Sequence, residues 1–522
     1  MRRLPLLLPV TSRQAARVER RMRKLKIITA AVATSLFYGC SLAPVYHLPP
    51  IDIPVAYKEP GPWQTSRPSD RLPRGDWWIS AHDTELSRLE LQVDKANPDL
   101  AAAVARYDEA TAFLSQARAG LFPQLGVGGA LTNNRQSDNR PLRGSGEPSV
   151  YGANSLTFEL DYDFDLWGRV HNEVAANKDL AQASAAEMES VRLSLHIKLA
   201  DAYFSLRGDD EKLKLLRDSE AAYAHALKVT TTLFHGGVAP AEDMTRAGTN
   251  LYTVRAQIDE IEAQRSLSEH AIASLAGISA SSFAIPPDAN PVNFDAIPLD
   301  VPSALLQRRP DIAAAERRVA AANASIGIAR AAFFPDISLS PMMGFQSDST
   351  ANLLSASNLI WAIGPQLSAT LFDAGLHRAE LAAARAKLNE SAANYRSTVL
   401  RGFQEVEDNL ALLSHLRDEA QAEDLAVQNA QRTLKFSFNQ YQAGAVSYLD
   451  VFEAQTAALQ VSQSAIDLRV RYLHACVGLV GALGGGWPGI KADQTGLPAA
   501  QIPGAKTLSP VEAPAGAGLA LS

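Results

Sequence analysis

Two hydrophobic patterns of different period alternate along the 522-residue chain. Over residues 156–166, Leu156, Phe158, Leu160, Tyr162, Phe164 and Leu166 alternate with Thr157, Glu159, Asp161, Asp163 and Asp165. Period two predicts a strand with one apolar face. A soluble sandwich strand also alternates, but four acids on one face better suit a water-filled lumen with lipid on the other side. Weaker strands are expected later. Ile337 and Leu339 alternate with Ser338 and Ser340, and Leu359, Trp361, Ile363, Leu367 and Leu371 share a face opposite Gln366, Ser368 and Thr370. The segments 132–152 and 346–357, rich in Asn, Ser, Gly and Asp, read as loops between strand pairs.

The second pattern steps by three and four. Met188, Val191, Leu195, Leu199, Ala202 and Leu206 form one stripe; Leu388, Ala392, Tyr395, Val399, Phe403, Val406, Leu410 and Leu413 form another. These stripes have coiled-coil spacing and lie in proline-free stretches, 168–235 and 374–443. At 1.5 Å per residue, each stretch predicts a helix of roughly 100 Å. Each ends in a glycine turn, at Gly237 and Gly444, and returns through a shorter helix, over 240–276 and 447–483. Ala-rich 98–120 predicts a further helix, stopped by Phe122-Pro123.

The chain also repeats itself. Pro98-Asp99-Leu100-Ala101-Ala102-Ala103 recurs as Pro310-Asp311-Ile312-Ala313-Ala314-Ala315, and Phe122-Pro123 recurs at the same spacing as Phe334-Pro335. Phe234, Gly237, Asp243 and Ala247 match Tyr441, Gly444, Asp450 and Ala454. The expected organisation is an N-terminal segment over 40–96, a first repeat over 97–276, a linker over 277–309, a second repeat over 310–483, and a Gly/Pro/Ala-rich tail over 484–522 read as disordered. Each repeat reads as helix, two strands, long helix, return helix. Aromatics at one end of the strand set, Phe122, Trp167, Phe334 and Phe372, suggest a membrane-interface belt. Four strands cannot close a membrane barrel, so the chain must oligomerise; eight strands from a dimer or twelve from a trimer would both close.

The N-terminus holds an export signal over residues 1–39. Arg21, Arg23, Lys24 and Lys26 precede an apolar run over 27–37 that is too short to span a bilayer, and Met22 is an alternative start to Met1. The run ends at Gly39-Cys40, a small residue and a cysteine placed as in a lipoprotein processing box, which makes Cys40 the candidate lipid-anchored first residue. No apolar run of 18 residues follows, so the expected way through a membrane is a β-barrel.

Composition narrows the chemistry. A net charge of −7 disfavours nucleic acid as a partner, and two cysteines imply no disulfide framework; Cys476 reads as a packed thiol. No phosphate loop, Gly-x-Ser-x-Gly elbow or metal-spaced histidine set occurs, so no enzyme and no cofactor are expected.

Several motifs together resemble the TolC-type outer-membrane efflux proteins, in the lipoprotein branch of NodT- and OprM-like channels. They are Gly75-Asp76-Trp77-Trp78; Leu306-Gln307-Arg308-Arg309-Pro310-Asp311-Ile312, leading to Phe333-Phe334-Pro335; Asp165-Leu166-Trp167-Gly168-Arg169; Leu371-Phe372-Asp373-Ala374-Gly375; and Tyr441-Gln442-Ala443-Gly444. The resemblance spans roughly residues 40–486. It implies an α+β membrane protein: a homotrimer whose 12-stranded transmembrane β-barrel, four strands per chain, continues into a long periplasmic α-helical barrel. It also implies a passive exit duct for small molecules, served by a periplasmic adaptor and an inner-membrane RND-type pump. Asp450, Glu453 and Tyr441 match positions that ring the periplasmic aperture in that family. The alternatives are the exit channel of a protein-secretion system and a structural periplasmic coiled-coil lipoprotein. The alternating strands argue against the second.

Overall fold

The computed structural model describes residues 41–54, 57–58, 74–137, 139, 146, 148–294 and 308–485. The expected signal segment, Cys40, and the tail from residue 486 lie outside the described residues. Seven α-helices and six strands make up the frame among the described residues. In chain order they are α1 (Thr84–Ala96), α2 (Pro98–Ala119), β1 (Gln124–Arg135), β2 (Val150–Asp163), α3 (Arg169–His235), α4 (Ala241–Leu275), α5 (Pro310–Ala331), β3 (Asp336–Leu339), β4 (Met342–Ser347), β5 (Leu359–Ala362), β6 (Pro365–Ser368), α6 (Leu376–Gln442) and α7 (Tyr448–Ala482). A short 3-10 segment, Arg74–Ala81, precedes α1.

The helices start and stop where local chemistry dictates. Asp83 caps α1 by accepting from the backbone N–H groups of Glu85 and Leu86, and Asn97 caps α2 by accepting from that of Leu100. Pro98 and Pro310 occupy first-turn positions, where a missing N–H costs nothing. The helices α3 and α6 each run 67 residues, about 100 Å, and α4 and α7 each run 35. Gly237 and Gly444 take φ of 71° and 72° after α3 and α6, a left-handed turn that any side chain would strain.

The six strands are four rungs of one antiparallel meander. β2 pairs with β1 from Gln124↔Asp161 to Arg135↔Val150, and on its other edge with β4 and then β3. β4 pairs with β5, and β3 with β6. Among the described residues, β1 is one free edge, and β5 with β6 is the other. Four strand expectations are corrected. First, β2 covers 150–163 rather than 156–166, because Asp165 leaves the sheet to serve the start of α3. Second, the loop expected from residue 132 begins only at 136, since β1 continues through Arg135 despite Gly126, Gly128 and Gly129 within it. Third, each strand of the second repeat is broken in two. Pro341 lacks an N–H, but its carbonyl accepts from the backbone N–H of Leu160 at 3.0 Å, so β2 stays paired across the break. Fourth, Leu371, expected in a strand, lies beyond β6.

The helices form a layer in the order α2–α3–α5–α6, while α7 packs back on α3 and α6, and α4 on α3. The largest core lies midway along α3, where Leu86, Leu89 and Val93 of α1 meet Leu199, Tyr203 and Phe204 of α3 beneath Trp78. A fully buried Leu of this kind contributes roughly 2 kcal/mol.

Candidate channel wall, anchor and aperture

Residues paired directly across an antiparallel sheet share a face. On one face lie Leu125, Val127 and Leu131 of β1, Leu156, Phe158, Leu160 and Tyr162 of β2, Met343 and Phe345 of β4, Ile337 and Leu339 of β3, and Leu359, Trp361 and Leu367 of β5 and β6. This face is apolar yet uncovered: Leu125 keeps 76% of its surface and Trp361 69%. On the other face stand Gln124, Gly126, Thr157, Glu159, Asp161, Asp163, Ser338, Gln346, Gln366 and Ser368. A sheet with one apolar, unpartnered face and one hydrated face suits a wall between an apolar medium and water.

Glu159, Asp161 and Asp163 project from the hydrated face and are exposed. Asp163 also pairs with Arg169 at 3.2 Å. Asp165 departs from the expected acidic row. Its carboxylate accepts from the His171 backbone N–H at 2.8 Å and lies 2.6 Å from His171 Nδ1, so it satisfies the first turn of α3. Of the four aromatics at this end, Phe122, Phe334 and Phe372 are exposed. Trp167 stacks on Phe334 at 4.6 Å and donates to the Pro335 carbonyl at 2.8 Å. It therefore stitches the two repeats together at the strand-to-helix exit.

Cys40 lies outside the described residues, but its neighbour Ser41 does not. Ser41 Oγ is 2.8 Å from Asn172 Oδ1 in the first turn of α3, and Leu42 O accepts from Arg330 at 3.0 Å near the end of α5. The chain after position 40 therefore begins at the junction of sheet and helices.

The far end is the pair of glycine turns. Asp450 and Glu453 lie one turn apart on α7 and are both exposed. Asp450 also has a role that sequence reasoning did not find. Its carboxylate accepts from the N–H and the hydroxyl of Ser447, at 3.1 and 2.8 Å, closing a capping box. The Tyr441 ring meets Tyr448 edge-on at 5.4 Å. Its hydroxyl is shut from water and has no hydrogen-bond partner among the described residues. Burial, helped by the nearby Asp243 carboxylate, pushes that hydroxyl above the ordinary tyrosine range.

Sequence reasoning missed two further groups. Arg309, in the motif before α5, is buried. It grips Asp311 at 2.7 and 3.0 Å, Glu405 of α6 at 2.5 Å and the Ala482 carbonyl at the end of α7. The motif thus locks three helices together. Glu90 of α1 is fully buried, with its carboxylate 2.5 Å from Nδ1 of His196; Asp94 is 3.3 Å from Nε2, and Trp78 stacks on the ring at 4.8 Å. Burial pushes Glu90 up to about 7. In sequence, Glu90 reads as the polar side of an amphipathic helix, and 106 residues separate it from His196.

Comparison with known proteins agrees with this architecture. The chain is 31% identical over 471 residues to the probable efflux pump outer membrane protein TtgC of Pseudomonas putida, covering 88% of this chain and 96% of that one. It is 30% identical over 477 residues to the cation efflux system protein CusC of Escherichia coli, covering 89% of this chain and all of that one. Among solved structures, the outer-membrane channel OprN superposes with a TM-score of 0.79 at 26% identity, over 86% of this chain and all of that one. The model of the family described as outer membrane efflux protein matches twice in succession, at residues 92–278 and 301–485, and the chain belongs to that family.

Proposed function

We propose that three copies of this chain close into a 12-stranded barrel through the outer membrane, continuous with a helical tunnel in the periplasm, and that the assembly is the passive exit duct of a tripartite efflux system. One observation carries this reading. The sheet is open at β1 and at β5/β6, and the helix layer is open at α2 and α6. β1 follows α2, and α6 follows β6, so the free edges of both layers lie on the same two flanks of the protomer. A single rotation closes both at once. Backbone groups at a sheet edge cannot stay unpaired in lipid, which makes such closure obligatory. The uncovered apolar face then meets lipid, and Glu159, Asp161 and Asp163 line the water-filled bore.

The same reading gives the other parts their roles. Ser41 at the sheet–helix junction suits a lipid anchor on Cys40 at the inner surface of the outer membrane. The glycine turns at Gly237 and Gly444 form the periplasmic tip, where three copies of Asp450 and Glu453 ring the aperture and Tyr441 packs beside it. A periplasmic adaptor and an inner-membrane RND-type pump deliver the cargo. The names of the relatives span antibiotic, toluene and cation efflux, so the cargo class here is small molecules.

Purified protein reconstituted into planar bilayers tests the reading. Discrete conductance steps with a preference for cations are expected from the acidic bore. A protein that stays monomeric and inserts without conducting would overturn it.

A further inference from the structure

We propose that the N-terminal strap, beyond tethering the chain to lipid, forms part of the seam between copies: with one face of α6 it makes a groove that receives helix α2 of the neighbouring copy. The inference rests on the closed-ring reading above. Its basis is the path of residues 41–54 and 57–58. From its start beside Asn172 the strap descends α5, with the Pro44 carbonyl accepting from Asn323 at 2.8 Å and the Tyr46 hydroxyl donating to Glu316 at 2.5 Å. Tyr46 and Ile51 then pack over Ile312, Val319, Tyr395 and Val399, and the Lys58 N–H donates to Glu407 of α6 at 2.8 Å. The strap thus crosses from α5 to α6, toward the free edge of the helix layer.

At that edge, Pro49 and Pro50 face Ala393, Arg396, Leu400 and Arg401 across an open groove of about 780 Å³. The α6 side of the groove spans residues 389–404, about 22 Å of helix. This is a second face of α6, distinct from the stripe of Tyr395, Val399 and Val406 that is buried within the protomer. Its Leu400 keeps 62% of its surface.

The occupant follows from layer order, length and charge. Among the described residues, the other free edge of the four-helix layer is α2, 22 residues or about 33 Å long, with Ala101, Ala102, Val104 and Ala105 exposed. Small residues let two helices approach closely. α2 ends at the sheet and α6 begins at it, so equal distances from the sheet stand at equal heights. Ala101 and Ala105, 18 and 14 residues below Ala119, stand level with positions 394 and 390 of α6, within the span that lines the groove. The groove lining carries two arginines and no acid, and the exposed Asp108 shares one face of α2 with Ala101 and Ala105.

Paired cysteines in the full-length protein, oxidised in native outer membranes, test this. Leu400→Cys and Pro50→Cys are each combined with a cysteine at Ala101, Val104 or Ala105. Ala103→Cys, buried within its own protomer, and each single variant serve as controls. Cys476 is buried and does not enter. Both sets are expected to give disulfide-linked dimers and trimers at one or more α2 positions, with none from the controls. If α6 cross-links to α2 while Pro50→Cys cross-links nowhere, the strap is not in the seam, although the ring stands. If the oligomer is intact by sedimentation and neither set links, the groove receives something else and the proposal falls. If no oligomer exists, the ring reading itself is wrong.

Discussion

Leu199, midway along α3, has no exposed surface, while Leu367 of β6 keeps 70% of its own. Leu199 belongs to a core built with two regions far from it in sequence: the 3-10 turn with Trp78 and the following helix α1, and the stretch that carries Ile285 and Val292. Around Leu367 nothing closes, although its neighbours on that face are equally apolar. The core around Leu199 is complete within one protomer. The sheet face is complete only in another medium. Apolarity alone therefore does not say what covers a surface; the number of chain segments within reach does.

Breaking each surface in turn should separate the two kinds of burial. The largest loss is expected from Leu199→Ala, at about 2–5 kcal/mol, because the cavity is walled by rigid helices and cannot collapse. Denaturant unfolding of detergent-extracted protein would read it, in any medium that keeps the helices. On the sheet, Phe158→Arg should cost about 2–4 kcal/mol near the membrane midplane. Arg in place of Thr157 or Asp161, on the opposite face, should be tolerated. Folding yields of these variants in lipid vesicles decide between the faces, and equal damage from both sets would remove the lipid-facing assignment.

The third test concerns a polar exception inside the helix core. Glu90 has a folded-state value of about 7 against an ordinary carboxylate near 4.3, so its burial favours the protonated form. Its contribution to stability is full below the unfolded value and is lost as pH rises through 7. Asp179 and Asp209, each pushed up to about 6 by burial, act in the same direction at slightly lower pH. The thermal midpoint should therefore fall between pH 5 and pH 8, and the fall should be shallower in Glu90→Gln. A pH-independent difference between the two proteins would show that the buried carboxyl does not titrate in this range.

The smallest expected change in stability lies at the tip, which belongs to neither surface. Asp450→Ala should cost roughly 1 kcal/mol through its lost helix cap. Together with Glu453→Ala, it should relieve block of the pore by trivalent cations added from the periplasmic side. Bilayer recordings with the cation on one side at a time measure this. Unchanged block would leave Asp450 as a capping residue and no more. Ser447→Ala, which removes the hydroxyl side of the same cap, should affect stability but not block, and so separates the two roles.

Much of this molecule follows from sequence by local rules. Proline-free stretches with three–four apolar steps predicted the 67-residue helices, because helix hydrogen bonds and caps close within a few residues. The alternating faces of β2 were legible for the same reason: side-chain direction in a strand repeats every second residue. The broken strands of the second repeat were less so, since Pro341 weakens the local signal while β2, far away in sequence, supplies the missing continuity. Asp165 was misplaced because its alternation continued the strand pattern, and only the turn into α3 shows that its carboxylate serves a helix.

What the sequence determined alone is the periodicity, the duplication and the absence of familiar catalytic motifs. Tertiary structure alone decided which polar residues meet. Arg309 with Glu405, Glu90 with His196 and Ser41 with Asn172 are contacts between segments 96, 106 and 131 residues apart. No local pattern encodes them, because a hydrogen bond depends on ångström-scale placement that the packing of whole helices sets. The same holds for the two free edges. Composition marks a face as apolar, but only the order of strands and helices in space shows that both layers open on the same flanks, where one neighbouring copy can close them.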